Sequence, residues 1–584
     1  MYLLVIIAIS ALCLVVAYRV YGNLLARLLE LDSNAITPAV EMRDDVDYAP
    51  IEPKFLMSQH FSAIAAAGPI VGPILAGVMF GWLPALIWIL IGSIFIGGVH
   101  DITALTASIR HKARSIAEVV RVHMSHRSYV LFLLFIWIAL VYIIVAFTDI
   151  VAGSFVGRQE LGNGLVVTGG GVATSSLMYL ALPIVMGCLL RFTKLSLNMA
   201  TIIFLPLVGV SIWIGQYLPF DLAQVLGTSD SGAQRIWGVV LLGYCFVASI
   251  VPVWMLLQPR GHLGGYFLYV ALGGGLLGLA LSGAKTEYPA YISWTAANGD
   301  PIAPILFITI ACGACSGFHA IIASGTTSKQ LRKETDAKVI GYGAMLLEAM
   351  VAVVSLCCVM ILTREAAQGL QGKPNYIYAQ GIGSFLGTIG IPRTFAISFG
   401  LLAFTTFVYD TLDVCTRLGR YIIQELTGWT GNAGRWIATT ATAGAPLIFV
   451  VQTTTDATGK TIPAWRLFWN LFGASNQLLA ALTLLGVTVW LWRTYRAQWV
   501  WWVAGIPTVF MYIMSTWALL RFARAGFFMP DWTFKGLLVG PVPWVALLLV
   551  GLAGLVLLEA VRVFSGSLRP PMPPRPEPAP AMGA

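Results

Sequence analysis

GPIVGP, residues 68–73, sits inside the apolar stretch QHFSAIAAAGPIVGPILAGVMF (59–80), and its two prolines and two glycines decide how that stretch is read. A proline removes a backbone donor and clashes with the turn before it, and glycine weakens a helix further. The stretch is nonetheless long and apolar enough to cross a bilayer. Hydrocarbon tolerates loose backbone only where protein or a water-filled cavity satisfies it. The expectation is a membrane helix broken at 68–73, and such breaks line the midplane sites of secondary transporters.

Composition agrees. Of 584 residues, 58% are hydrophobic and only 10% charged, which defines a polytopic membrane protein. The formal charge of +9 comes without a basic, aromatic-interleaved soluble segment, so nucleic acid is excluded as a partner. Membrane lipid and a small-molecule substrate are the expected partners. The eight cysteines lie in or beside apolar stretches, which is no disulfide framework. Cys312 and Cys315 form a CxxC, read as small-residue helix packing inside an apolar helix.

Apolar runs of spanning length occur at about fifteen places, from 2–18 to 543–563. The stretch 376–392 adds a possible re-entrant hairpin, giving an all-α bundle of about 15–18 transmembrane helices. The first run, Tyr2–Tyr18, lacks a basic leader and is read as a retained helix. With the N-terminus outside and the C-terminus cytoplasmic, 24 of the 35 Lys and Arg fall on the inner side. The loop 19–58 is acidic as well as basic, with Asp44, Asp45 and Asp47. The Pro-rich tail, 565–584, is expected to be disordered.

A second interruption is read at SIVPVWMLLQPR (249–260), where Pro252 stands within the run 237–257. This run enters from the opposite face, five helices after the first break. The division that follows is a first helix and loop (1–58), two inverted repeats (59–217 and 237–435), peripheral helices (436–564) and the tail. A third stretch, ACGACSGFHAIIASGTT (311–327), has a small-residue face that suits close packing and ligand binding equally. The expected substrate site is Gly68, Pro69, Gly72 and Pro73, with Ser249, Pro252 and Trp254, and with Gly313, Ser316 and Gly317.

Ionisable residues within spans are costly and are functional candidates by default. Four stand out: His60, Asp101, His319 and Glu348. Asp101 and Glu348 lie roughly 12–13 Å from their inner helix ends at ~1.5 Å per residue. An imidazole beside a carboxylate suits proton coupling; a divalent metal is the alternative use of such a set. Sodium near Ser324, Thr326 and Thr327 is the rival coupling ion. No cofactor is expected. Asp410, Asp413, Arg417 and Arg420 cluster at one helix end, and the i,i+4 pair Asp413–Arg417 is read as a gating ion pair. Asn476 and Gln477 are read as interhelical hydrogen-bonding groups. No nucleophile or metal motif marks an enzyme, and a membrane sensor or receptor is the other class of function.

These segments resemble the carbon starvation protein A (CstA) family. The matches are TPAVEMRDDVDYAP (37–50), QHFSAIAAAGPIVGP (59–73), GGVHD (97–101), SIVPVWMLLQPR (249–260), SGFHAIIASGTTSKQL (316–331), GYGAMLLE (341–348), TLDVCTRLGRY (411–421) and FGASNQLLAA (472–481). The resemblance implies a bacterial inner-membrane transporter importing peptides or pyruvate under carbon limitation, proton-coupled in close relatives. It also implies a LeuT-like 5+5 inverted-repeat core with peripheral helices, with 59–80 and 237–257 as its two discontinuous helices and 129–153 and 302–324 flanking the site. Asp149 has no counterpart in the family pattern, and the chain carries little after residue 563.

Overall fold

The computed structural model describes residues 2–568 apart from 45–47, 161–165, 253, 371–372, 430, 453, 456–460, 530 and 537–539. The acidic pair Asp45 and Asp47 and nearly all of the Pro-rich tail lie outside the described residues. What is described is an all-α bundle with two short antiparallel strand pairs, Arg158–Glu160 with Val166–Thr168 and Thr454–Thr455 with Thr461–Ile462.

Among the described residues, twelve helices are individually long and apolar enough to span a membrane, and a bent pair makes a thirteenth. The two remaining apolar runs are also helical, one as the interrupted segment 302–327 and one as Asn432–Val450. Residues 374–388 form a single helix that turns at Gly390 (φ +87°) into the next, so the hairpin expected at 376–392 is absent. A positive φ is the conformation glycine adopts without steric cost.

Contacts between chain segments define two faces. The lower face joins Leu29, Arg110, Glu334 and Tyr495: Arg110 Nε is 2.7 Å from Glu334, and its Nη2 donates to the Leu29 carbonyl. On the upper face Leu3 N donates to Ala284 O and Glu287 N to Met360 O. The loops expected on the inner side thus gather on one face.

Nine helical pieces build the site: α1 (Pro53–Ile64), α2 (Gly68–Phe80), α3 (Trp82–Arg110), α4 (Leu257–Leu281), α5 (Ile302–Thr309), α6 (Gly317–Ile322), α7 (Lys338–Met360), α8 (Arg393–Thr427) and α9 (Ala464–Tyr495). The first span is broken as the sequence demands, but at Ala65–Ala67, with α1 and α2 bent by 46°. Residues 68–73 are helical, correcting the expected position of the break. The reason is proline geometry: Pro69 suits the first turn of a helix and disrupts the turn before it.

The second broken span is 302–327, in place of 237–257. Helices Asp230–Ile250 and α4 are two separate spans, and Pro252 lies in the lower-face connection between them. In 302–327, α5 ends at Thr309, residues 310–316 are unwound, and α6 continues through a π-turn at Ala323–Thr327. The CxxC therefore lies in unwound backbone, and all eight cysteines are free.

The two broken spans run antiparallel. Ile51 N, just before α1, donates to Gln330 O after the π-turn, while Ile292 N, ahead of α5, donates to Phe80 O at the end of α2. Each is followed by a span containing a π-turn, Ser93–Gly97 in α3 and Lys338–Gly343 in α7. These spans interlock reciprocally: a Cβ on Gly98 would strike Tyr342, and one on Gly341 would strike Ile102.

Candidate functional site

The two breaks meet. A Cβ on Gly68 would overlap Cys312, one on Gly72 would sit 2.5 Å from Thr309 O, and one on Gly313 would press on Ala352. Glycine is required here because the side chains of Cys312 and Ala352 and the Thr309 carbonyl fill the space a Cβ would take. Loose peptide groups inside a bundle need partners, and side chains from other helices supply them. Asn476 Oδ1 accepts from Phe318 N (2.9 Å), and its Nδ2 donates to Ser316 Oγ (3.0 Å). Gln477 Nε2 donates to Cys315 O, and Trp88 Nε1 to Ile310 O. The interhelical reading of Asn476 and Gln477 is thus specific: they hold the second break open.

Directly beside the break, α6 projects His319 between two carboxylates. Its Nδ1 is 2.7 Å from Asp101 Oδ2 on α3, and its Nε2 is 3.1 Å from Glu348 Oε2 on α7. His100 extends the chain, with Nδ1 2.7 Å from Asp101 Oδ1. All four side chains are buried. The ring can lie between two carboxylates as an imidazolium, or accept at Nε2 from a protonated Glu348. Those forms differ only in the position of one proton. Three of the four expected residues come together here.

His60 does not join them by hydrogen bond. It pairs through Nδ1 with Thr327 Oγ1 (2.8 Å), tying the lower half of one broken span to that of the other. Among the described residues no three His, Cys, Asp or Glu converge as metal ligands. Of the hydroxyls considered for sodium, Ser324 and Thr326 donate to the backbone carbonyls of residues 320 and 322, and Thr327 pairs with His60.

The expected Asp413–Arg417 pair is not formed. Arg417 Nη2 instead donates to Ala248 O (2.6 Å) and Val251 O (2.8 Å), closing the C-terminal end of helix 230–250. Helix carbonyls at that end lack internal partners. Asp413 pairs with Arg260 Nη1 and accepts from Tyr244 OH (2.9 Å). Arg260 Nε lies 2.7 Å from Asp410, which also accepts from Ser62 on α1. Gly264 permits this approach, since a Cβ there would collide with Asp410 and Ser62.

Ser249 and Pro252 lie at the lower end of helix 230–250, which packs on 126–154, α8 and 432–450. Trp254 lines a lower-face pocket of about 440 Å³ and stacks edge-on with Phe192. They belong to that face, away from the meeting of the breaks. Asp149 has a structural explanation: its carboxylate accepts from Trp465 N and Gln234 Nε2, both at 2.8 Å, at the start of α9. Arg260 and His100 are the residues sequence reasoning passed over. Arg260 stands at the end of the stretch 249–260, yet it is 1% exposed.

Antiparallel broken spans enclosing a buried ionisable chain, within a bundle of membrane helices, are the make-up of a membrane transport protein. The chain belongs to the carbon starvation protein CstA family, whose model matches residues 2–378 and 365–518. A peptide transporter CstA of Helicobacter pylori is 32% identical over 83% of this chain and 77% of its own. The pyruvate/proton symporter BtsT of Escherichia coli K12 is 31% identical, covering 86% and 79%. A peptide transporter CstA of Bacillus subtilis is 28% identical over 97% and 98%. Among solved structures, an Eremococcus coleocola manganese transporter aligns over 89% of this chain and 99% of its own, at 13% identity and a TM-score of 0.47. The chain is a transporter and not an enzyme.

Proposed function

We propose that this protein imports small carboxylate-bearing nutrients, peptides or pyruvate-like monocarboxylates, across the bacterial inner membrane by proton-coupled alternating access. The observation that carries the reading is the abutment of the two breaks beside the Asp101–His319–Glu348 chain. The N-terminal end of α2, at the first break, carries partial positive charge suited to a carboxylate. A proton delivered to the carboxylate–imidazole chain changes the charge packed against α6, and α6 continues directly from the second break. Substrate and proton would therefore bias the same element, which is what coupling requires.

The repeat is proposed to open at Pro53 and again at Ile302, with the π-containing spans α3 and α7 as its second members. The lower face, which holds most of the Lys and Arg, is assigned to the cytoplasm. A role in carbon starvation follows from the family alone.

The test is uptake of labelled pyruvate by proteoliposomes, challenged with di- and tripeptides and driven separately by proton and sodium gradients. Saturable uptake that follows the proton gradient supports the reading. Uptake that requires sodium, or no uptake of either substrate class, refutes it.

A further inference from the structure

A small cavity of about 20 Å³ lies below the meeting of the breaks, between α1, α4, α8 and the π-turn at Ala323–Thr327. That is room for about one water. Its walls include two buried donor groups whose hydrogen-bonding capacity is not used. Arg260 ion-pairs through Nε with Asp410 and uses Nη1 on Asp413 and Tyr244, leaving Nη2 without a hydrogen-bond partner, with the equally unpartnered Tyr179 hydroxyl interacting with the same guanidinium. His60 uses Nδ1 on Thr327 Oγ1 and leaves Nε2 unpartnered. With the threonine hydroxyl as donor, Nε2 keeps the ring proton and is a buried donor. Both side chains are 1% exposed.

An unsatisfied buried donor costs about 1–3 kcal/mol, more when charged, so two in one cavity need an occupant. Arg260 cannot swing away to meet another need. Its guanidinium is stacked 5.4 Å from both the Tyr244 and Tyr409 rings. The charges of Asp410 and Asp413 are matched by Arg260 and by Arg417, which sits one turn beyond Asp413 on α8.

We infer that Arg260 and His60 form a carboxylate-binding subsite on the lower side of the transport path. This rests on the transport reading above and names the side chains that grip its substrate. A guanidinium edge beside an imidazole N–H matches the two oxygens of one carboxylate. The cavity must widen to admit the ligand, and its surroundings supply a route. Gln59 lines both this cavity and the roughly 440 Å³ lower-face pocket, whose other walls include Arg191, His262 and Arg332. An anion released downward thus passes Arg191 and Arg332, with Glu52 in the same lining.

The carboxylate has two possible sources, a free monocarboxylate or a peptide C-terminus. Asp413 Oδ1 and Gln330 Oε1 are also unpartnered at this site, so a peptide's ammonium would find acceptors that a monocarboxylate leaves idle.

The experiment uses the purified full-length protein in proteoliposomes, with pyruvate, its neutral amide, and dialanine. Wild type is expected to take up one or both acids and to reject the amide. His60→Gln should raise KM for the acid roughly tenfold and Arg260→Lys roughly ten- to hundredfold, with kcat held within a few-fold. Dialanine preferred over pyruvate, with that preference lost in Asp413→Asn, identifies the peptide; the reverse preference identifies the monocarboxylate. Should Arg260→Lys fail to fold, His60→Gln decides alone, provided it melts with wild type. Unchanged KM in the variants while wild type transports overturns the inference and leaves the transport reading standing. A wild type that transports neither acid refutes both.

Discussion

Glu348→Gln isolates the proton-binding chain with little disturbance of shape. Glu348 is fully buried, and its Oε2 lies 3.1 Å from His319 Nε2. Truncation to alanine would also open a cavity beside His319 and leave its Nε2 without a partner, at a cost of about 2–5 kcal/mol. The amide keeps the volume and one hydrogen bond while removing the charge and the protonatable oxygen. A hydrogen bond to a charged group contributes about 1.5–3 kcal/mol. At tenfold per ~1.4 kcal/mol, proton binding at His319 should weaken roughly ten- to hundredfold. The readout is a pair of assays on one set of proteoliposomes. Accumulation driven by an imposed pH gradient should be lost. Counterflow exchange of labelled for unlabelled substrate, which needs no net proton movement, should stay within about threefold of wild type. Full retention of pH-driven accumulation would refute the role of this chain, as would loss of both activities in a protein that melts normally.

Three further predictions follow from packing and charge. Gly68→Ala should destabilise the protein by about 1–3 kcal/mol through overlap with Cys312, read as a lower melting temperature in detergent; Cys312→Gly in the same chain should restore it, and no rescue would show that the two breaks do not interlock. Asn476→Ala should cost about 1–3 kcal/mol by orphaning Phe318 N and Ser316 Oγ, whereas Asn476→Asp should retain the Phe318 bond and melt closer to wild type. His123, on the short lower-face helix Ile116–His123, is held neutral by burial and by the neighbouring His111 and Arg493, which lower its pKa to about 3. Because the unfolded chain binds the proton more readily, this contribution is complete above about pH 6.5 and lost as pH falls toward 3; by pH 5 the loss is about 2 kcal/mol. His123→Gln should therefore flatten the fall in melting temperature between pH 7.5 and 5, and parallel curves would contradict it.

The sequence declared the membrane bundle, the apolar runs and the Asp101–His319–Glu348 set, because charge inside a span is too costly to be accidental. The first break was legible to within one turn. Pro69 does its damage on its N-terminal side, so unwinding falls on Ala65–Ala67 and not on the prolines themselves. The second break was misplaced for a related reason. Pro252 drew attention to 249–254, but there it marks an ordinary turn between two complete spans. The true break, 310–316, contains no proline. It is held open by Asn476, Gln477 and Trp88, which are remote in the chain, so local propensity gives no warning of it. Asp413 was matched with Arg417 by helical spacing, yet spacing cannot weigh a cation arriving from another helix. Arg260 does so from α4, and two carboxylates three residues apart inside a span were the available hint that such a cation was needed.

The most direct trial of the central claim uses Cys312, which lies in the second break against Gly68 and is only 3% exposed. With the other seven cysteines replaced, a small membrane-permeant thiol reagent should label Cys312 in cycling proteoliposomes, and saturating pyruvate or dialanine should slow that labelling several-fold. Labelling at the same rate with and without substrate, or none at all while uptake continues, would contradict a transport path through the meeting of the two breaks.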